Sequence, residues 1–325
     1  MKRLYSILGF LAAILIFLSV SVYVFRNVNL QNLLSDVGPL EAAANVAFGT
    51  LYFFSFGVLM KMIYKHHYKQ NVSWPDTFQL PFMMHLWTYI LPVKGGLVFQ
   101  TFFMKAKYKL DLSKSFSVGV LVFVASLLIT CVVGGILSAT LTNVGTIQLL
   151  LLFLFGTLLL FLVASRYVTE PGLPEPGFGN SVIRFIQNVL VQFRDQLKDI
   201  QLVQKLIAIT LVSTLIHAAW FYHCAFILGF HPDVAGITLA TVVLRIVTLV
   251  RILPGNLGIQ ELMIGSVFMA AGLGLEEGLT TSLLIRFVSA VLAATFGIAG
   301  LYVNFRYFDT DSFSGLFVKL KNSRS

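Results

Sequence analysis

Charge is what this sequence has least of. Only 11% of its 325 residues are Asp, Glu, Lys or Arg, where a soluble globular domain carries about a quarter. With 57% hydrophobic residues and a mean hydropathy of +0.86, almost no room remains for a separate water-soluble domain. Backbone in hydrocarbon must satisfy its own hydrogen bonds, so the expected fold class is all-α, a polytopic membrane bundle. Cysteine is scarce too: Cys131 and Cys224 each fall inside an apolar run, which argues against a disulfide framework. Catalytic motifs are missing as well, with no Ser/His/Asp set, no P-loop and no paired metal-ligand spacing. His85, His217 and His223 are scattered, and the spacing of His217 and His223 is poor for two ligands on one helical face. No catalytic residue, no metal and no cofactor is therefore expected. The net charge of +9 lies in short runs between apolar segments, with no nucleic-acid motif beside it. That pattern fits positive-inside topology and anionic lipid headgroups.

What is present is a succession of apolar segments with two interruptions. Leu4 to Phe25 is longer than the h-region of a signal peptide and ends in no A-x-A site, so it is expected as an uncleaved first span. Ala42 to Tyr64 is the second span, closed by the cytoplasmic cluster Lys61, Lys65, His66, His67 and Lys69. The region 78–104 is broken at Pro92 and Gly95-Gly96, and each half is too short to cross alone. Basic residues flank it on both sides, with Lys105, Lys107, Lys109 and Lys114 following. It is expected to enter from the cytoplasm and return there as a re-entrant hairpin. Spans at Phe116–Ala139 and Ile147–Ser165 complete a first half, 1–165.

The stretch 166–205 combines a Pro/Gly-rich loop with an amphipathic helix, Ser181–Lys205, suited to the cytoplasmic interface. The second half, 206–325, holds a span at Leu206–Phe230, a second broken hairpin at 235–272 and a last span at Leu279–Val303. The second hairpin has no positive flank and is expected to enter from outside. The expectation is one integral membrane domain over 1–325, with about six full spans and two hairpins in an inverted repeat. Its place is the cell (inner) membrane, with both termini cytoplasmic.

Chemistry is expected at the two breaks. Arg245 to Glu261 reads RIVTLVRILPGNLGIQE, and charge inside a membrane usually marks a pathway or a site. Pro254, Gly255 and Gly258 would end one half-helix and begin another, whose N-terminal amides attract anions. Gly95 and Gly96 would do the same beside Lys94. With Arg251, Arg245 and Arg286, these positions suit a lipid phosphate, which Arg grips as a fork and Lys meets as a point charge. Glu261 would balance charge, neutralising Arg251 or Arg286. Arg245 is expected either to snorkel or to pair with Glu261 or Glu277.

At these breaks the sequence resembles the lysylphosphatidylglycerol synthase transmembrane (flippase-like) family, which includes the lipid-flipping membrane domain of the bacterial multiple peptide resistance factor. PGNLGIQE, Pro254 to Glu261, is similar to the family's PGGLGxxE, with Asn256 in place of a Gly. GLGLEEGLTTSLLIRF resembles the following turn and Arg-bearing span. PVKGGLVFQ is similar to P-G-R-x-G-E-x-x-R, keeping Pro92, a basic Lys94 and Gly96. Leu97 stands where an acid is usual, and Gln100 where Arg is usual.

The resemblance implies lipid translocation without aminoacylation, since the chain ends soon after its last span. Its expected partners are anionic or phosphate-bearing membrane lipids, and beyond them a second copy or a protein of lipid or glycan synthesis. Two other readings stay open. One is a membrane glycosyltransferase or accessory subunit in polyprenyl-phosphate-linked glycan assembly, using Asp36 and Glu41. The other is a small-solute or ion transporter built on the same broken helices.

Overall fold

A computed structural model describes residues 38–90, 95–138, 178–247 and 258–304, with isolated positions at 155, 156, 158 and 307. The expected spans at Leu4–Phe25 and Ile147–Ser165, the loop at 166–177 and the tail after the last span lie outside the described residues, apart from those isolated positions. Among the described residues every regular element is a helix. In chain order these are α1 (Pro39–His67), α2 (Trp74–Ile90), α3 (Gly95–Tyr108), α4 (Leu112–Ser138) and α5 (Phe178–Lys198). They continue with α6 (Ile200–Ile227), α7 (Val234–Val247), α8 (Ile259–Ala270), α9 (Leu275–Leu292) and α10 (Ile298–Asn304). A π-helical turn at Ala293–Gly297 joins α9 to α10, so the last three pieces form one span.

Four of these are long and apolar enough to cross a membrane: Pro39–His67, Leu112–Ile136, Ile200–Ile227 and Leu275–Asn304. At 28 residues, α6 is about 42 Å long by its rise per residue, enough for a hydrocarbon layer of about 30 Å. The chain is a multi-pass membrane protein.

Local chemistry explains where the helices begin and end. Helix α1 starts with Pro39 at its first position and Glu41 in its first turn, and finishes on Lys65, His66 and His67. Each charge opposes the helix dipole at its own end. The amphipathic helix stops at Lys198, short of the expected Lys205, because Asp199 caps the next helix by accepting from the Leu202 amide at 3.1 Å. Span α6 accordingly starts at Ile200 rather than Leu206. Helix α5 turns Val189, Phe193 and Gln196 onto the bundle and leaves Ile183 and Ile186 exposed. Gln196 donates to Tyr68 Oη at 2.8 Å and to Ser117 Oγ at 3.0 Å.

The packing repeats itself. Helices α2 and α3 form one hairpin and α7 and α8 another, each leading into a long span, α4 or α9. Helix α1 lies along α6; α2 packs on the π turn and α10 at the end of the α9 span, while α7 packs on α4. Among the described residues, two large apolar cores fill the bundle. One gathers Leu59, Ile63, Phe103 and Phe193, and the other Trp220, Phe221, Val243 and Phe268. The interface of α1 and α6 is pinned by Asn45, whose Oδ1 accepts from Trp220 Nε1 at 3.1 Å and Cys224 Sγ at 2.9 Å.

The mouth of the first hairpin is tied shut by a buried ion pair. Asp76 Oδ1 lies 2.7 Å from Lys107 Nζ, which also donates to Asn304 Oδ1 at 2.7 Å. Lys107, one of the run of lysines after the first hairpin, is thus a structural residue joining α2, α3 and α10.

Candidate functional site

Between the two hairpins lies a cavity of about 580 Å³. Every hairpin helix contributes to its wall: His85 and Tyr89 from α2, Gly96 and Gln100 from α3, Arg245 from α7 and Gln260 from α8. The long helices add Tyr52 (α1), Ser126 (α4), His217 (α6) and, from α9, Arg286 and Ser289. The lining is largely aromatic and aliphatic, with these polar groups set into it.

Among the described residues, two cations line this space, both from the second half. Arg245 stands in the last turn of α7 and is 6% exposed; Arg286, on α9, is 8% exposed. Arg245 Nη2 donates to Ser213 Oγ at 3.5 Å, and Ser55 Oγ donates to the same Ser213 oxygen at 2.9 Å. Its guanidinium carbon lies 5.9 Å from the Tyr52 ring, which stacks in turn on His217 with centroids 4.2 Å apart. A guanidinium over an aromatic face is attracted by the ring quadrupole. Arg286 has a different neighbourhood. Its Nε lies 2.9 Å from Glu261 Oε1, and its Nη2 donates to Gln260 Oε1 at 2.9 Å.

Glu261 is fully buried, and its second oxygen accepts from the Gly258 amide at 2.8 Å. Gly258 has φ of 81°, a left-handed conformation that glycine adopts without strain. The α8 N-terminus therefore meets an anion of its own chain, the side chain three residues on. Glu261 pairs with Arg286 and not with Arg245, while Glu277 reaches back to the Gly274 amide at 3.3 Å. The expected partner of Arg245 in Glu261 or Glu277 is thereby corrected. The reason is register: each glutamate caps its own helix, and among the described residues the cation brought to Glu261 is Arg286 of α9.

In the first half, Gly95 and Gly96 are buried at the start of α3. A Cβ on Gly96 would strike the Met84 carbonyl oxygen and lie 2.7 Å from Thr88 Oγ1. This glycine sets how closely the hairpin arms approach. Gln100 lies one turn further on, fully buried; its Nε2 donates to Tyr64 Oη at 2.7 Å, and Tyr64 also meets Ser115 Oγ at 3.0 Å. Lys94, Arg251, Pro254 and Gly255, with Pro92, lie outside the described residues. Of the expected site residues, the cavity brings together Arg245, Arg286, Gly96 and Gln100, while Glu261 stands behind the wall.

Residue order along α6 hides the members that sequence reading passed over. His217 and His223 share a span, yet the buried polar companions of His217 on it are Thr210, Ser213 and Thr214. Spaced by three and four, they form one polar stripe on an otherwise apolar span.

Residues 9–297 match the family described as the lysylphosphatidylglycerol synthase TM region. The chain belongs to that family. The match takes in both hairpins and the long helices around the cavity, and it is to the transmembrane region of the synthase. No curated protein and no solved structure matches the chain. Among the described residues no cluster of three or more His, Cys, Asp and Glu is placed to hold a metal ion. Among the described residues, the polar groups lining the cavity are the guanidiniums of Arg245 and Arg286, the amides of Gln100 and Gln260, the imidazoles of His85 and His217 and several hydroxyls, set in an apolar shell.

Proposed function

We propose that the chain is a lipid translocase, moving a phosphate-bearing headgroup between leaflets through the cavity where the two hairpins meet. The observation that carries this reading is the pair of buried guanidiniums, Arg245 and Arg286, lining one cavity inside a membrane-spanning bundle. Buried arginine in a membrane is expensive and marks a substrate path, and its fork suits phosphate oxygens. Membership of a family named for a phospholipid synthase's membrane region points the same way.

The packing pattern supports an inverted repeat as the machinery. Exchanging α1 with α6, α2 with α7, α3 with α8 and α4 with the α9 span leaves the set of contacts among these eight elements unchanged. Lengths follow the same exchange: 29, 17, 14 and 27 residues in one half against 28, 14, 12 and 30 in the other. Helix α1 ends on cations whereas α6 begins beside Lys198 and Lys205, so the halves run in opposite directions by the positive-inside rule.

On this reading 1–325 is one membrane domain in the inner membrane with both termini cytoplasmic. The first hairpin is re-entrant from the cytoplasm and the second from outside, each carrying a break with a cation, Lys94 or Arg251, toward the midplane. Pro254, Gly255, Gly258, Gly95 and Gly96 shape the breaks, and Glu261 holds Arg286 in place.

The test is leaflet exchange of fluorescent anionic phospholipid in liposomes. Arg245→Ala is expected to slow exchange about tenfold or more, the loss of a charge-assisted contact. Exchange by folded wild-type protein no faster than in empty liposomes would sink the proposal.

A further inference from the structure

Phosphate accounts for the two arginines and leaves the rest of the polar lining unexplained. Among the described residues, three of these groups, from three different helices, keep a buried atom without a hydrogen-bond partner. His217 is 4% exposed, and its Nδ1 has no hydrogen-bond partner among the described residues. Gln100 is fully buried; its Nε2 is used by Tyr64, but its Oε1 has no such partner. Ser126 is 9% exposed, and its Oγ is in the same condition. All three residues line the cavity together with Arg245 and Arg286. Buried polar atoms are normally paired, so three unpaired ones around one cavity describe the ligand's complement.

The donor and acceptor inventory then discriminates between headgroups. An amide oxygen only accepts, whereas a serine hydroxyl and an imidazole nitrogen can take either role. A ligand hydroxyl both donates and accepts, so it can satisfy all three. An ammonium only donates and would sit in the field of two guanidiniums. Glu261, the carboxylate beside the cavity, is already engaged by Arg286 and the Gly258 amide.

We propose that the headgroup is a polyol phosphodiester, its phosphate held by Arg245 and Arg286 and its uncharged hydroxyls met by Gln100, Ser126 and His217. This rests on the translocation reading and narrows its substrate to glycerol-, inositol- or sugar-bearing phosphates, away from aminoacylated or ethanolamine headgroups. Such hydroxyls come from glycerophospholipids or from polyprenyl-phosphate sugars.

The experiment measures leaflet exchange by the purified chain in liposomes with five labelled lipids. These are phosphatidylglycerol, phosphatidylinositol, a polyprenyl-phosphate hexose, phosphatidylethanolamine and lysyl-phosphatidylglycerol. At least one of the first three is expected to exchange about tenfold faster than either of the last two, and which one does so identifies the source. His217→Phe keeps a ring on Tyr52 and removes the ring nitrogens; it is expected to narrow that ratio while the thermal midpoint holds. Equal rates for all five lipids, or faster exchange of the two amine-bearing ones, would overturn the polyol assignment and leave translocation standing. No exchange of any lipid by folded protein would remove the translocation reading and this inference with it.

Discussion

Glu261 does two things from one position: it caps α8 at Gly258 and it holds Arg286 against Gln260. With both partners buried, removing one strands the other in a medium of low polarity, which typically costs about 3–5 kcal/mol. Arg286→Gln is therefore expected to lower the thermal midpoint of the purified protein sharply. The double change Arg286→Gln with Glu261→Gln is expected to regain most of the loss. A double variant no more stable than the single one would show that the ion pair is not what matters there. The sequence made the three charges at 245, 261 and 286 conspicuous, because charge is rare in apolar segments. It did not reveal which paired with which, since the answer depends on how α8 and α9 face one another across their short turn. His217 was harder still to see: its role comes from the Tyr52 ring of another helix, a contact that spacing along the chain does not encode.

At the scale of elements, the first hairpin depends on close backbone approach and on the clip at its mouth. Gly96→Val would drive a side chain into the Met84 carbonyl and Thr88, an overpacking that costs about 1–3 kcal/mol. A lower thermal midpoint and slower lipid exchange are both expected, because the same glycine shapes the cavity wall. Lys107→Ala would leave Asp76, whose side chain is 2% exposed, buried without its cation. That is expected to cost about 3 kcal/mol in thermal unfolding, far more than the loss of a surface lysine. Lys105→Ala, on the exposed side of the same helix, is the control and is expected to change the midpoint little.

The elements themselves were legible, since long apolar runs and Pro/Gly breaks carry their own signal. Their boundaries were less so. The end of α5 was set by a single capping aspartate, Asp199, lying within a continuous amphipathic pattern. The π turn at Ala293–Gly297 left no mark in hydropathy; it lies where Gly297 comes close to the Phe82 carbonyl of α2.

Over the whole molecule, the two hairpins and their following spans repeat one packing scheme, and the cavity lies where the halves meet. The order of these elements was legible in the sequence from its apolar runs and Pro/Gly breaks. Each half conserves the order of long span, short arm, short arm and long span, not the residues that fill it. A path through that meeting point is the central claim, and filling the cavity tests it most directly. Ser126 on α4 and Ser289 on α9 both line the cavity, so the double variant Ser126→Trp/Ser289→Trp would occupy it from both halves. The measurement is leaflet exchange of labelled anionic phospholipid in liposomes, with thermal unfolding to establish that the variant is folded. The account predicts that exchange falls to the level of empty liposomes. Wild-type exchange by the folded, filled variant would contradict it and place the lipid path elsewhere on the bundle.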